Sequence, residues 1–249
     1  MRKLLTLFLL LSCFSLHVKA QNWGGGIDDE DFNWGFTFQY VASEFKIIKT
    51  PNWRAPFRDA EQGGIPVTDP LNSISSPLSA GFGIGFVLNR NVSKNTDLRF
   101  TPSIVFNDRL VDYKYETPPV NNVAFSEKQQ KVQSTMLDLP LLFKVKSNRQ
   151  NNFRAYFFGG GKYSMDLASG KKYKDEDFAA IDKFLKNKKA FFSYEAGIGF
   201  DLYFEYFKMS PEIKISHSIG NVMKRENTPY ATPIEKAILR NFTFSLFFE

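Results

Sequence analysis

Apolar side chains recur at every second position in eight separate stretches of this chain, and that period constrains the fold more than any other feature. Phe36, Phe38 and Tyr40 share one face of a first stretch, with Thr37 and Gln39 between them. Phe82, Ile84, Phe86 and Leu88 alternate with Gly81, Gly83 and Gly85. Leu98, Phe100, Ile104 and Phe106 alternate with Arg99, Thr101, Ser103 and Asn107. Leu137, Leu139, Leu141, Phe143 and Val145 oppose Asp138, Pro140, Lys144 and Lys146. Phe153, Ala155, Phe157, Tyr163 and Met165 oppose Arg154, Lys162 and Asp166. Tyr194, Ala196, Ile198, Phe200, Leu202 and Phe204 alternate with Glu195, Gly197, Gly199 and Asp201. Phe207, Met209, Ile213 and Ile215 alternate with Lys208, Ser210, Glu212 and Lys214, and Phe242, Phe244, Leu246 and Phe248 with Asn241, Thr243 and Ser245. Successive side chains of a strand point to opposite faces, so each stretch reads as a strand with one apolar and one polar side. Each is near the roughly 9–11 residues that cross a bilayer as a tilted strand.

The connections narrow the choice. Residues 49–78, 116–131, 167–190 and 218–237 are long and polar, whereas 89–97, 147–152 and 205–206 are short. Long and short alternate strictly, as when one end of a membrane barrel carries tight periplasmic turns and the other extended outer loops. A soluble sandwich has no reason to sort its loops by parity. The expected fold is therefore all-β: an eight-stranded antiparallel up-and-down transmembrane barrel over residues 33–249, with both ends of the barrel domain on the short-turn side. The 27 phenylalanines, combined with a negative mean hydropathy, fit apolar residues dispersed at period two. One outer loop is expected to hold a short helix. Asp175 stands where it could cap a segment carrying Phe178, Ile181, Phe184 and Leu185 and ending in Lys186, Lys188 and Lys189.

Residues 1–20 have the form of an export signal. Arg2 and Lys3 precede an apolar run from Leu4 to Phe14, and Val18 and Ala20 offer small residues for cleavage before Gln21. Eleven apolar residues fall short of the roughly 20 a membrane helix needs. Leu10-Leu11-Ser12-Cys13 faintly resembles a lipoprotein cleavage box, the alternative in which Cys13 carries a lipid. Cleavage after Ala20 instead leaves no cysteine, with 21–32 as an N-terminal periplasmic segment. It also removes three of the 32 basic residues and none of the 26 acidic ones, so the charge of +6 falls to +3. That bias is too small to argue for nucleic acid.

The polar parity carries Arg99, Lys144, Arg154, Lys162, Lys208 and Lys214 together with Asp138, Asp166, Glu195, Asp201 and Glu212. An eight-stranded barrel is just wide enough to be filled by its own side chains. Mixed charges there point to a paired plug, with the glycines at 81, 83, 85, 197 and 199 making room for long charged groups. Catalysis has little to stand on. His217, the one histidine outside the signal, falls on the outward parity near a strand end, so no Ser-His-Asp constellation assembles. Histidines and cysteines at ligand spacing are absent, which argues against structural zinc. Asp201 and Glu195 are acid–base candidates by type only. Gly159-Gly160-Gly161-Lys162 lacks the helix that follows a phosphate loop and falls within a strand pattern. No catalytic, cofactor or metal residue is expected. A lipid hydrolase or acyltransferase hinging on His217 is the enzyme alternative.

The motif string resembles the PorT family of Bacteroidota outer-membrane barrels. The resemblance runs through Leu98-Arg99-Phe100-Thr101-Pro102, Arg109, Tyr113, Leu139-Pro140-Leu141-Leu142 and Lys144. It continues through Ser147-Asn148-Arg149, Asn151-Asn152, Arg154-Ala155-Tyr156, Gly160-Gly161-Lys162-Tyr163 and Asp166. It resumes at Glu195-Ala196-Gly197, Asp201, Tyr206-Phe207-Lys208, Glu212, Lys214, Arg240-Asn241 and Phe247-Phe248-Glu249, with Trp34-Gly35-Phe36 and Phe45-Lys46 fitting as well. The resemblance implies an accessory part in type IX protein secretion and, in gliding species, in delivery of surface adhesins. The partners it implies are outer-membrane lipid and other components of that route. A small porin-like structural or adhesive barrel unrelated to secretion is the alternative. Many such barrels end on an aromatic residue, whereas Glu249 follows Phe248 here.

Overall fold

The computed structural model describes residues 30–59, 63–116, 126–167 and 178–249. The expected signal at 1–20, most of the 21–32 segment and Asp175 lie outside the described residues.

Eight antiparallel strands form a closed ring. They are β1 (Phe32–Lys49), β2 (Ser79–Ser93), β3 (Thr96–Phe100, resuming as Ser103–Phe106), β4 (Thr135–Lys146), β5 (Phe153–Asp166), β6 (Ala190–Tyr203), β7 (Lys208–Ser218) and β8 (Ile234–Phe248). Each pairs with its sequence neighbours, and β1 pairs with both β2 and β8, which closes the barrel and leaves no edge. The interruption of β3 falls at Thr101–Pro102, because proline has no N–H to give to the ladder. The register runs through it unchanged, from Leu88↔Phe100 to Gly85↔Ser103. Tight connections join β2 to β3, β4 to β5 and β6 to β7, and longer segments make the other four joins. The sorting of loop lengths expected from the sequence is therefore present.

Two expectations are corrected. Parts of the segments read as polar loops are strands: Leu71–Ser75 and Glu127–Val132 flank Arg109–Tyr115, to which the sequence reading assigns no element, in a three-stranded sheet above the barrel. The short helix is a single 3-10 turn, Ala180–Asp182, flanked by extended backbone at Ala179 and Lys183, and no side chain caps it. The expected apolar face does not exist, since Leu185 is buried while Phe178 and Phe184 are exposed.

The strands are longer than a bilayer crossing requires: β1 has 18 residues and β8 has 15. The reason lies in an inversion of the alternation along single strands. On the lower part of β1, Phe36, Phe38 and Tyr40 face out while Thr37 and Gln39 are buried. Above it Val41 and Phe45 are buried inside, and Glu44 and Lys46 face out. β8 mirrors this, with Phe242 and Phe244 outside and Thr243 and Ser245 inside below, then Ala237 and Leu239 inside and Lys236 and Arg240 outside above. Lipid favours the first pattern and water the second. The inversion therefore marks the outer rim of the membrane on the strand itself.

Candidate functional site

The lumen and its mouth are where a barrel of this size could bind, conduct or catalyse. Every charged residue assigned to the inward face from the sequence is buried there: Arg99, Lys144, Arg154, Lys162, Lys208, Lys214, Asp138, Asp166, Glu195, Asp201 and Glu212.

In the lower lumen, Lys144 Nζ lies 2.9 and 3.0 Å from the carboxylate oxygens of Asp201, which also accepts a hydrogen bond from Ser210 Oγ at 2.7 Å. Arg99 donates to Glu212, and Tyr156 Oη donates to the same carboxylate at 2.6 Å. Glu249 reaches in from the end of β8 and pairs with Lys208 and, at 3.3 Å, with Arg99. Three cations here face three carboxylates. Nearer the mouth, Lys214 donates to Glu195 at 3.2 Å, and Lys162 Nζ lies 3.6 Å from the other oxygen of that carboxylate. Lys162 also donates to Asp138 at 3.0 Å, and Ser164 donates to Asp138 at 2.6 Å. At the periplasmic rim Lys146 pairs with Asp97 at 2.6 Å. A buried ion left alone costs several kcal/mol, on the order of 3–5 when a partner is removed. Matching charge for charge is what lets this polar interior exist inside a hydrocarbon slab.

Glycine supplies space for more than the charged chains expected from the sequence. A Cβ on Gly199 would stand 2.5 Å from Tyr156 Oη, and one on Gly197 would stand 2.6 Å from Phe158 Cζ. Glu212 Cγ and Lys214 Cβ would each lie 2.8 Å from the added atom at Gly199 and Gly197, so these two glycines make room for aromatic rings as well as for charged chains. Gly81 and Gly85 instead admit the β3 backbone, whose Phe106 and Pro102 carbonyls would lie 2.3 and 2.6 Å from an added Cβ.

Above the ionic layer the interior turns apolar. Val111, Tyr113 and Tyr115 of the upper sheet pack with Val41, Phe45, Met136, Leu185, Val222, Tyr230 and Leu239 in one buried cluster. Tyr113 Oη donates to the Tyr230 carbonyl at 2.7 Å, and Tyr230 Oη donates to the Ile181 carbonyl at 2.6 Å. The outer loops thus fold into a crown across the mouth. The sequence reading missed it because its apolar residues alternate with charges outside the eight lipid-facing stretches, either in segments read as polar connections or, at 109–115, where that reading assigns no element.

The acid–base candidates do not converge. Asp201 and Glu195 lie six residues apart on β6, about 20 Å along the strand, and each is engaged by its own lysine. His217 faces outward and stacks on Tyr194 with ring centres 5.6 Å apart. The Gly159–Lys162 run is mid-strand in β5. Among the described residues no group of three or more histidine, cysteine, aspartate or glutamate side chains could hold a metal ion.

The outer wall is a band of exposed aromatic and aliphatic side chains. It is rimmed below by Trp34 and Tyr206 and above by Tyr40 and Tyr194, the placement of aromatic girdles at both interfaces of a membrane barrel. The family described as outer membrane protein beta-barrel domain matches residues 20–224. The chain belongs to that family. This outer-membrane barrel is integral to the outer membrane of a Gram-negative cell, with its long connections outward. None of the curated proteins matches the chain. Among solved structures it is similar to the outer membrane protein OprG from Pseudomonas aeruginosa, at 13% identity and a TM-score of 0.43 over 86% of this chain and 94% of that one. It is also similar to Neisserial surface protein A (NspA), at 12% identity and a TM-score of 0.38 over 88% of this chain and 98% of that one.

Proposed function

We propose that this barrel is an accessory component of type IX protein secretion that works through assembly or partner contacts, not by conducting cargo and not by catalysis. The observation that carries this reading is the interior itself, charge-paired below and capped by an apolar crown above. A barrel filled in this way has no passage for a protein, so its working surfaces are its outer wall, its crown and its periplasmic turns.

One of those turns is held in a fixed shape. In the β4–β5 connection, Arg149 lies over the Tyr203 ring at 3.8 Å, and its Nε donates to the Asn151 carbonyl at 2.7 Å. Asn151 has a φ of 54°, a left-handed conformation that asparagine tolerates. Asn95 of the β2–β3 turn donates to the Lys146 carbonyl at 2.9 Å and to Asn148 Oδ1 at 3.2 Å, which ties two periplasmic turns together. A pre-organised polar knob lowers the entropy cost of docking a periplasmic partner. It is built from the residues, Ser147 to Asn152, on which the family resemblance is most specific.

The test is a clean in-frame deletion in the native host. Proteins with C-terminal targeting domains should stay in the periplasm while other outer-membrane barrels remain in place, and the purified barrel should not conduct in a planar bilayer. Normal export in the deletion strain would end the proposal. Normal export together with lost surface adhesion would favour the small porin-like structural or adhesive barrel.

A further inference from the structure

The outer face of the β1–β8 seam carries charges at the height where lipid headgroups sit. Glu44 is paired in register with Arg240, and Ile48 with Lys236, while Lys46 stands between them opposite Ile238. The four charged residues at even-numbered positions here, Glu44, Lys46, Lys236 and Arg240, point away from the lumen, opposite to the buried Phe45, Ala237 and Leu239. Arg240 Nη2 is engaged by Glu44 at 2.5 Å. Lys46 and Lys236 make no ion pair among the described residues, although other cations of the crown do: Lys131 with Asp108 at 2.8 Å, Lys114 with Glu127 at 3.5 Å. Three cations therefore share one carboxylate on this patch. Diagonal positions on adjacent strands have Cβ atoms roughly 7–8 Å apart, a gap that one phosphate group spans with a long lysine on either side.

What lies directly below makes the patch a lipid site in particular. Ala42, paired with Ala80 and Phe242, leaves a low spot on the wall immediately under Glu44 and Arg240. Beneath it the exposed rings of Tyr40, Phe38, Phe242 and Phe244 run down the same seam into the membrane. An anionic headgroup resting on Lys46 and Lys236 would thus have its acyl chains against a continuous apolar strip. Basic side chains at a membrane surface attract anionic lipid, each contributing roughly fivefold in affinity. We propose that the β1–β8 seam binds the phosphate of an anionic outer-leaflet lipid through Lys46 and Lys236, with Arg240 held in place by Glu44. This site stands independently of the secretion role.

Native mass spectrometry of the barrel in a neutral detergent, titrated with phosphatidic acid, tests it. The wild-type barrel should take up one equivalent. Lys46→Gln/Lys236→Gln should bind about 25-fold more weakly, two lysines at roughly fivefold each. Lys224→Gln, altered in an outer loop, should match wild type. Heat-modifiable gel mobility identifies folded barrels, and the single variants Lys46→Gln and Lys236→Gln provide the comparison should the double variant fold poorly. Equal uptake by wild type and the folded lysine variants would overturn the site. So would inorganic phosphate competing as strongly as the lipid, because the wall would then contribute nothing, or phosphatidylcholine binding as tightly as phosphatidic acid.

Discussion

The ammonium of Lys144 on β4 lies 3.5 Å from the centre of the Tyr156 ring on β5 and within 3.0 Å of both carboxylate oxygens of Asp201 on β6. One buried cation thereby joins three consecutive strands. A lysine so placed has exchanged its water for two fixed partners, a carboxylate and the negative face of an aromatic ring. The arrangement is complete only while every member is present.

Asp201→Asn should therefore destabilise the barrel by about 3–5 kcal/mol, since it leaves Lys144 charged and unmatched in the lumen. Lys144→Met should cost a similar amount by stranding Asp201. The double variant Lys144→Met/Asp201→Leu should cost less than either single change, because it removes both charges at once. Urea unfolding in detergent micelles, followed by heat-modifiable mobility, reads all three. Costs that simply add would show that the two groups act separately.

Gly199 and Gly161 offer a contrast within the same wall. A Cβ at Gly199 would meet Tyr156 Oη at 2.5 Å and Cζ at 2.6 Å, and Glu212 Cγ at 2.8 Å, whereas at Gly161 nothing lies within 4 Å. Gly199→Ala should destabilise by about 1–3 kcal/mol through overpacking and release the hydrogen bond from Tyr156 to Glu212. Gly161→Ala should stay within about 0.5 kcal/mol of wild type. Shortening the opposing ring with Tyr156→Leu should remove the two closest contacts and reduce the cost of Gly199→Ala, leaving the contact with Glu212 Cγ. A Gly199→Ala loss that Tyr156→Leu leaves untouched would mean that the clash is not with this ring.

The membrane-spanning part was legible because lipid forces a rule that sequence displays without any tertiary knowledge. Phe36, Phe82, Phe157 and Ile213 must face out, so Thr37, Gly83, Phe158 and Glu212 must face in, and every charge assigned to the lumen is there. Its pairings were not legible. Nothing local says that Glu249 would reach Arg99, 150 positions away, because that depends on how the ring closes. The crown was hidden for a different reason. At Val111, Tyr113 and Tyr115 the apolar face turns inward while Asp112 and Lys114 turn to water, and this stretch is passed over when only lipid-facing apolar residues are sought. The expected helix failed because spacing at Phe178, Ile181 and Leu185 is as compatible with an irregular segment pinned by one buried residue as with a continuous turn.

The crown is sensitive to high pH in a direction that its tyrosines set. Burial pushes the Tyr230 phenol up to about 12 from its ordinary 10.0, partly offset by a hydrogen bond with Gln130. Burial, with help from their neighbouring phenols, raises Tyr113 and Tyr115 higher still. A phenol whose folded value exceeds its unfolded one favours folding while it is protonated. That contribution is whole below pH 10 and is lost as the pH climbs through the folded values. Between pH 10 and about 12 the crown should therefore loosen while the barrel below, held by its ladder of strand hydrogen bonds, stays closed. Limited proteolysis at the outer loops should accelerate over that interval, and phenolate absorbance should show a group of tyrosines titrating late. Replacing Tyr230 with Phe removes the titrating group together with its hydrogen bond to Ile181. It should lower crown protection at neutral pH and flatten the response above pH 10. Unchanged proteolysis across the whole alkaline range in the wild-type barrel would mean that the crown does not depend on these phenols remaining neutral.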